Sequence, residues 1–152
     1  MFKRSFIGVV ALAALATPAL AAGDADKGEK VFKKCQACHQ VGDDARSTPT
    51  GPVLNDIIGR TAGTVEGFKY SAAMTEAGEE GMVWNDEHLH EYLADPKGYV
   101  PKNRMAFAGL KKEEDRDDVI AYLEQFSDPA AVKADHSGDE PDGADDNSDS
   151  EE

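Results

Sequence analysis

The sequence predicts an all-α fold, with three main helices and short turns joined by long loops. Three observations predict it. Asp24–Ala37 and Glu113–Phe126 carry apolar residues at helical spacing near the two ends of a central region. Between them Val41–Gly67 is broken by Gly42, Pro49, Gly51, Pro52, Gly59, Gly63 and Gly67, so no long element fits there. At the end of the first helical stretch stand Cys35, Gln36, Ala37, Cys38 and His39, a C-x-x-C-H pattern around which such loops have a reason to close.

C-x-x-C-H is the spacing at which haem is attached covalently. Two thiols three positions apart on a helical turn can each add to one vinyl group of the porphyrin, and the next residue, His39, can then donate an imidazole nitrogen to the iron. Cys35 and Cys38 are the chain's only cysteines. A thioredoxin-like site needs a preceding strand in a βαβ context, which this sequence lacks. A structural zinc site needs a second ligand pair at regular spacing, and His88, His90 and His136 do not form one. A simple disulfide leaves His39 unexplained. The expected cofactor is therefore one haem c, bound through Cys35 and Cys38.

Each element has a local cause. Residues 1–22 read as a cleavable signal peptide: Lys3 and Arg4, an apolar run from Phe6 to Ala16, and Ala19-Leu20-Ala21 as the cleavage site, with a retained anchor as the minor alternative. The run is too short to span a membrane. Export places the chain in a bacterial periplasm. Residues 23–127 are expected to form one domain, small enough that a covalently held haem would supply much of its core. Asp24 or Asp26 caps the first helix, and Val31, Phe32 and Cys35 share a face. Gly28, in mid-helix, costs about 1 kcal/mol against alanine and marks a close crossing. The expected partner is Glu113–Phe126, with Val119, Ile120, Tyr122, Leu123 and Phe126 as its stripe. A short helical turn is expected near Ser71–Ala77, and a clearer helix from Asn85 to Leu93, with Asn85 or Asp86 as cap and Pro96 closing it. Residues 128–152, rich in Asp, Glu, Gly and Ser, are expected to be disordered. Three methionines, Met74, Met82 and Met105, are open candidates for a sixth iron ligand on sequence alone, since a lone methionine is more often core filler.

Further motifs follow in order: Thr50-Gly51-Pro52-x-Leu54, Ile58-Gly59-Arg60, Phe68-Lys69-Tyr70-Ser71, Trp84, Tyr92-Leu93-x-x-Pro96, the loop Pro101-Lys102-Asn103-Arg104-Met105-Ala106-Phe107, and Ile120-Ala121-Tyr122-Leu123. With C-x-x-C-H they resemble the class I c-type cytochromes, close to the bacterial cytochrome c2 and mitochondrial cytochrome c types, over roughly Gly23–Ser127. The resemblance implies the cytochrome c fold, electron transfer and no enzymatic activity. It implies Met105 as sixth ligand opposite His39, and Pro52 as carbonyl acceptor for the His39 N–H. Arg60, Tyr70, Ser71 and Trp84 match residues that bind the haem propionates. Tyr92 matches a hydroxyl near the ligating sulfur, and Phe107 an aromatic beside the haem edge. Asn103 stands where a threonine is usual and keeps a polar donor there. Met74 replaces a frequent asparagine in a buried polar network, and is the expected substitute ligand should the loop open.

Charge bears on partners. The chain has 16 basic and 30 acidic residues, a net of −14. Residues 128–152 contribute −9 and residues 23–127 contribute −7, against +2 in the signal. So acidic a chain is not a nucleic-acid binder. Lys33, Lys34, Lys69, Lys97, Lys102, Arg104, Lys111 and Lys112 belong to segments expected to frame the haem edge, while Glu76, Glu79, Glu80, Glu113, Glu114, Asp115, Asp117 and Asp118 fall elsewhere. The expectation is a dipolar, monomeric carrier whose positive face docks on acidic redox partners. The donor would be a membrane quinol-oxidising complex, in a respiratory or photosynthetic chain. The acceptor would be a terminal oxidase, a reaction centre or a soluble reductase. The rivals are a ligand-binding or peroxidase-like haem protein, which needs an open sixth site, and a haem subunit of a larger complex.

Overall fold

The computed structural model describes residues 23–137. The expected signal peptide, 1–22, and the last part of the expected disordered tail, 138–152, lie outside the described residues. Six helices follow in order: α1 (Ala25–Phe32), α2 (Ala72–Glu79), α3 (Asp86–Ala94), α4 (Pro96–Tyr99), α5 (Glu113–Glu124) and α6 (Pro129–Ser137). Among the described residues the only β pairing is an isolated antiparallel bridge between Thr61 and Val83.

Capping chemistry sets the helix starts. The Asp24 carboxylate accepts from the Asp26 and Lys27 N–H groups at 3.0 and 3.1 Å. The Ser71 hydroxyl accepts from Met74 N at 3.2 Å, and the Asn85 side chain from His88 N at 2.7 Å. Pro96 ends α3 as expected, and it also opens α4, where its missing N–H costs nothing at a first-turn position.

The frame of the domain is the crossing of α1 on α5. Gly28 sits at it: a Cβ there would overlap the Asp118 carbonyl oxygen and lie 2.7 Å from Tyr122 Cβ. Phe32 packs against Tyr122 with ring centroids 5.3 Å apart. Asp118, expected on an acidic surface, is instead buried, and its Oδ1 accepts the Asp24 N–H at 2.7 Å. The close approach made possible by Gly28 brings that carboxylate to the first turn of α1, where unpaired N–H groups favour an anion. Behind the crossing Val31, Phe32, Val119, Ile120 and Leu123 form one core with Ile57, Ile58, Trp84, Leu89 and Tyr92.

Two boundaries depart from expectation. α1 stops at Phe32, not Ala37, because the chain tightens into turns whose bonds run three residues back, Lys34 N to Val31 O at 3.0 Å and Cys35 N to Phe32 O at 2.7 Å. The tail is not disordered from residue 128: Pro129–Ser137 is helical. Local chemistry starts that helix, with Ala130 N donating to the Asp128 carboxylate at 2.8 Å and Pro129 at its first position. Docking then holds it. Val132 packs on the core, Asp86 N donates to Asp135 Oδ2 at 2.8 Å, and His136 Nε2 meets Glu124 Oε1 at 2.9 Å.

This contact makes stability depend on pH. Burial, and then the neighbouring Asp135 carboxylate, push the Asp86 carboxyl above its usual range. A carboxyl raised in the folded state contributes its stability below its unfolded pKa and loses it as pH rises through the folded value. Asp86→Asn is therefore expected to be more stable than the native chain at pH 7, with the gap closing as pH falls toward about 4. Denaturant unfolding at both pH values checks this; a native chain more stable than the variant at pH 7 contradicts it.

Candidate haem site

The turns that close α1 carry the motif. His39 N donates to Cys35 O at 2.9 Å and Cys38 N to the same oxygen at 3.0 Å, so Cys35, Cys38 and His39 all line one cavity. That cavity is about 240 Å³, and Phe32, Leu54, Ile57, Leu89, Val119 and Leu123 supply much of its wall. Burial pushes the Cys35 thiol up to about 11. A thiol-exchange site needs the opposite shift, so the redox C-x-x-C reading has no support here.

His39 Nδ1 lies 2.8 Å from the Pro52 carbonyl oxygen. A carbonyl only accepts, so Nδ1 carries the hydrogen and Nε2 keeps the lone pair that a metal can take. Burial lowers the His39 pKa, partly offset by the bond to Pro52, which favours the neutral, ligating imidazole. Gly51 lets the backbone before Pro52 run against the motif: a Cβ there would lie 2.6 Å from Cys38 O and 2.9 Å from His39 Cε1. Thr48 fastens the same contact, its hydroxyl donating to Cys38 O at 2.7 Å. Nothing in the sequence singled it out, because a threonine in a loop carries no signal of its partner.

Met105 lines the same cavity, from the loop after α4. The Tyr92 hydroxyl donates to its sulfur at 3.9 Å. Burial holds the Tyr92 phenol up at about 12, so it stays a donor. Met74 is also on the cavity wall, whereas Met82 is not and packs, partly buried, against the core.

Arg60, Tyr70, Ser71, Trp84 and Phe107 are all brought to this cavity. Arg60 is fixed by two carbonyls, Nη1 to Asn55 O at 2.9 Å and Nη2 to Val53 O at 3.2 Å. Ser71 reaches the cavity while capping α2. Asn103 lines the cavity too, but its polar atoms turn into the loop: Nδ2 donates to Pro96 O at 2.6 Å and Val100 O at 2.8 Å, and Oδ1 accepts from Met105 N at 2.8 Å.

The basic residues divide. Lys34, Lys69 and Arg104 stand at the cavity rim, and Arg104 Nη1 donates to Lys69 O at 3.3 Å. Lys34 is paired with Asp115 at 3.2 Å, which reduces its field. Lys33, Lys97 and Lys102 are exposed and lie off the cavity wall.

The donor set fits a haem: a neutral imidazole nitrogen, a soft thioether, two thiols at attachment spacing and apolar walls. The cytochrome c family model matches residues 25–127. Cytochrome c2 of Afifella marina is 54% identical over 99 residues, 65% of this chain and 79% of that protein. Cytochrome c2 of Blastochloris viridis is 45% identical over 125 residues, 82% of this chain and 94% of that protein. The solved structure of cytochrome c2 from Rhodospirillum centenum is 45% identical with a TM-score of 0.66, covering 70% of this chain and 100% of that one. The chain thus belongs to the cytochrome c family, whose members carry covalent haem c at the spacing of Cys35 and Cys38, and it is an electron-transfer protein.

Proposed function

We propose that this chain is a periplasmic, monomeric electron carrier, exported by residues 1–22, in which His39 and Met105 are the axial ligands of one haem c held by Cys35 and Cys38. The observation that carries the reading is that His39 Nε2, freed by the Nδ1 bond to Pro52, and the Met105 sulfur, approached by the Tyr92 hydroxyl, belong to one apolar cavity. Bound there, haem iron supplies a ferric–ferrous couple, and methionine sulfur favours the ferrous state and raises the potential.

The chain's own residues do the rest. Pro52 fixes the tautomer of His39. Tyr92 orients the Met105 sulfur. Arg60, its guanidinium fixed by two carbonyls, gives a half-buried positive charge that suits a propionate, with Tyr70, Ser71 and Trp84 beside it. Phe107 covers the edge. With His39 and Met105 both holding the iron, the site would favour outer-sphere electron transfer over peroxidase-like chemistry, which needs an open position.

The donor proposed is a membrane quinol-oxidising complex; a terminal oxidase, a reaction centre or a soluble reductase accepts. The proposed docking face has Lys69 and Arg104 at the cavity rim, with the exposed Lys33, Lys97 and Lys102 outside it and Lys34 contributing less because of Asp115. Replacing Lys33 and Lys102 by glutamate is expected to lower the second-order rate with an acidic redox partner by about tenfold or more at low salt, with the difference shrinking as salt rises. Stopped-flow kinetics over a salt series checks this, and an unchanged low-salt rate contradicts the docking face.

A further inference from the structure

The Met105 loop follows α4, a helix of one turn whose carbonyls have little intrahelical partnership. Val100 N closes on Pro96 O at 3.1 Å, and at Lys102 the chain turns through a φ of 68°, a value uncommon for a residue with a side chain. The next residue, Asn103, is buried. Its amide makes three bonds: two donated, to Pro96 O and Val100 O at 2.6 and 2.8 Å, and one accepted, from Met105 N at 2.8 Å. A threonine hydroxyl has one hydrogen and cannot donate to two carbonyls while accepting from Met105 N. An asparagine amide can do all three.

We infer that Asn103 is a positioning residue for the axial ligand: its amide clamps the Met105 backbone to α4 and sets how often the sulfur leaves the iron. This rests on the reading of Met105 as sixth ligand. The rest of the loop has weaker ties near the sulfur. Arg104 is exposed, with one bond of 3.3 Å to Lys69 O. The far end is held by Leu110 N to Leu93 O at 2.7 Å and Lys111 Nζ to Ala94 O at 2.9 Å, five and six residues beyond Met105. Without the amide, Met105 N–H loses its buried acceptor, and the segment between Val100 and Leu110 opens with less loss of bonding. Fold and cavity remain, because the α1–α5 crossing and the core lie elsewhere.

Imidazole tests this in the ferric holoprotein. It takes the sixth position only when the sulfur has left, so its apparent affinity scales with the open fraction of the loop. The readout is loss of the near-infrared sulfur-to-iron band on titration with imidazole. Asn103→Ala is expected to bind imidazole at least about tenfold more tightly than the native chain, and Asn103→Thr, which keeps one donor and one acceptor, to fall between. Ser127→Ala serves as control. It removes an equally buried hydroxyl that accepts from Ile58 N at 3.3 Å and donates to Leu123 O at 3.2 Å, away from the loop. It should lower the denaturation midpoint and leave imidazole affinity unchanged.

Native affinity in Asn103→Ala overturns the clamp, as does an equal gain in Ser127→Ala, which would mean general loosening. If Asn103→Ala does not fold, Asn103→Thr decides alone, and native affinity there overturns the clamp. A native protein without the band means that Met105 is not the ligand, and the clamp falls together with that reading. A native band with unaltered affinities removes only the clamp.

Discussion

Replacing Gly28 by alanine is expected to destabilise the domain strongly. The new Cβ meets the Asp118 carbonyl oxygen and stands 2.7 Å from Tyr122 Cβ, both on α5. Backbone cannot rotate away as a side-chain end can, so α1 and α5 must separate. Separation stretches the 2.7 Å bond from Asp24 N to Asp118 and opens the contact of Phe32 with Tyr122. Alanine gains about 1 kcal/mol in helix propensity over glycine, but overpacking of this kind costs up to about 3 kcal/mol or more, with a buried hydrogen bond at risk beyond that. The net loss of about 2–3 kcal/mol lowers the melting temperature by roughly 10–20 °C for a domain of this size. Thermal unfolding of the holoprotein checks it. A shift within a few degrees would contradict so close a crossing.

Met105→Ala is expected to change function most while leaving the fold intact. The side chain is half-buried on a loop, and the α1–α5 frame does not involve it. With Met105 as the proposed sixth ligand, removing its thioether takes away the donor that favours ferrous iron, so the midpoint potential should fall by on the order of 0.1 V or more, within the ~0.8 V range that axial ligation commands. The near-infrared band should vanish. Met74 shares the cavity, so a band that persists in Met105→Ala and disappears in the Met105→Ala/Met74→Leu double variant would assign Met74 as substitute ligand. Potentiometry and the spectrum together decide. Neither changing would exclude Met105 from the iron.

Much of this was legible in the sequence because it depends on local spacing. Cys35, Cys38 and His39 are fixed within five residues, and they meet at one cavity wall. Asp24, Ser71 and Asn85 cap helices because an N-cap needs only its own following N–H groups. Gly28 was legible for a different reason: a residue that costs stability within a helix needs a compensating approach, and α5 was the one long amphipathic candidate.

What was not legible depends on partners far along the chain. Asp118 has the sequence context of a surface acid, and only the fold brings it to Asp24, 94 residues away. Lys34 loses part of its field to Asp115, 81 residues away. Composition favours disorder after residue 128, yet a short run can fold when a ready surface meets it, here through Val132, Asp135 and His136. Asn103 lines the cavity, but the partners of its amide are not legible from its place in the motif: the carbonyls of Pro96 and Val100 are oriented only once Pro96–Tyr99 has formed its turn.

With both axial positions taken by the protein, as proposed, the site is a closed electron carrier. The most direct test is the near-infrared spectrum of the ferric holoprotein at neutral pH, followed by carbon monoxide addition to the ferrous form. A weak sulfur-to-iron band and no carbon monoxide complex are expected. A high-spin ferric spectrum without the band, together with ready carbon monoxide binding, would show an open sixth site and contradict it.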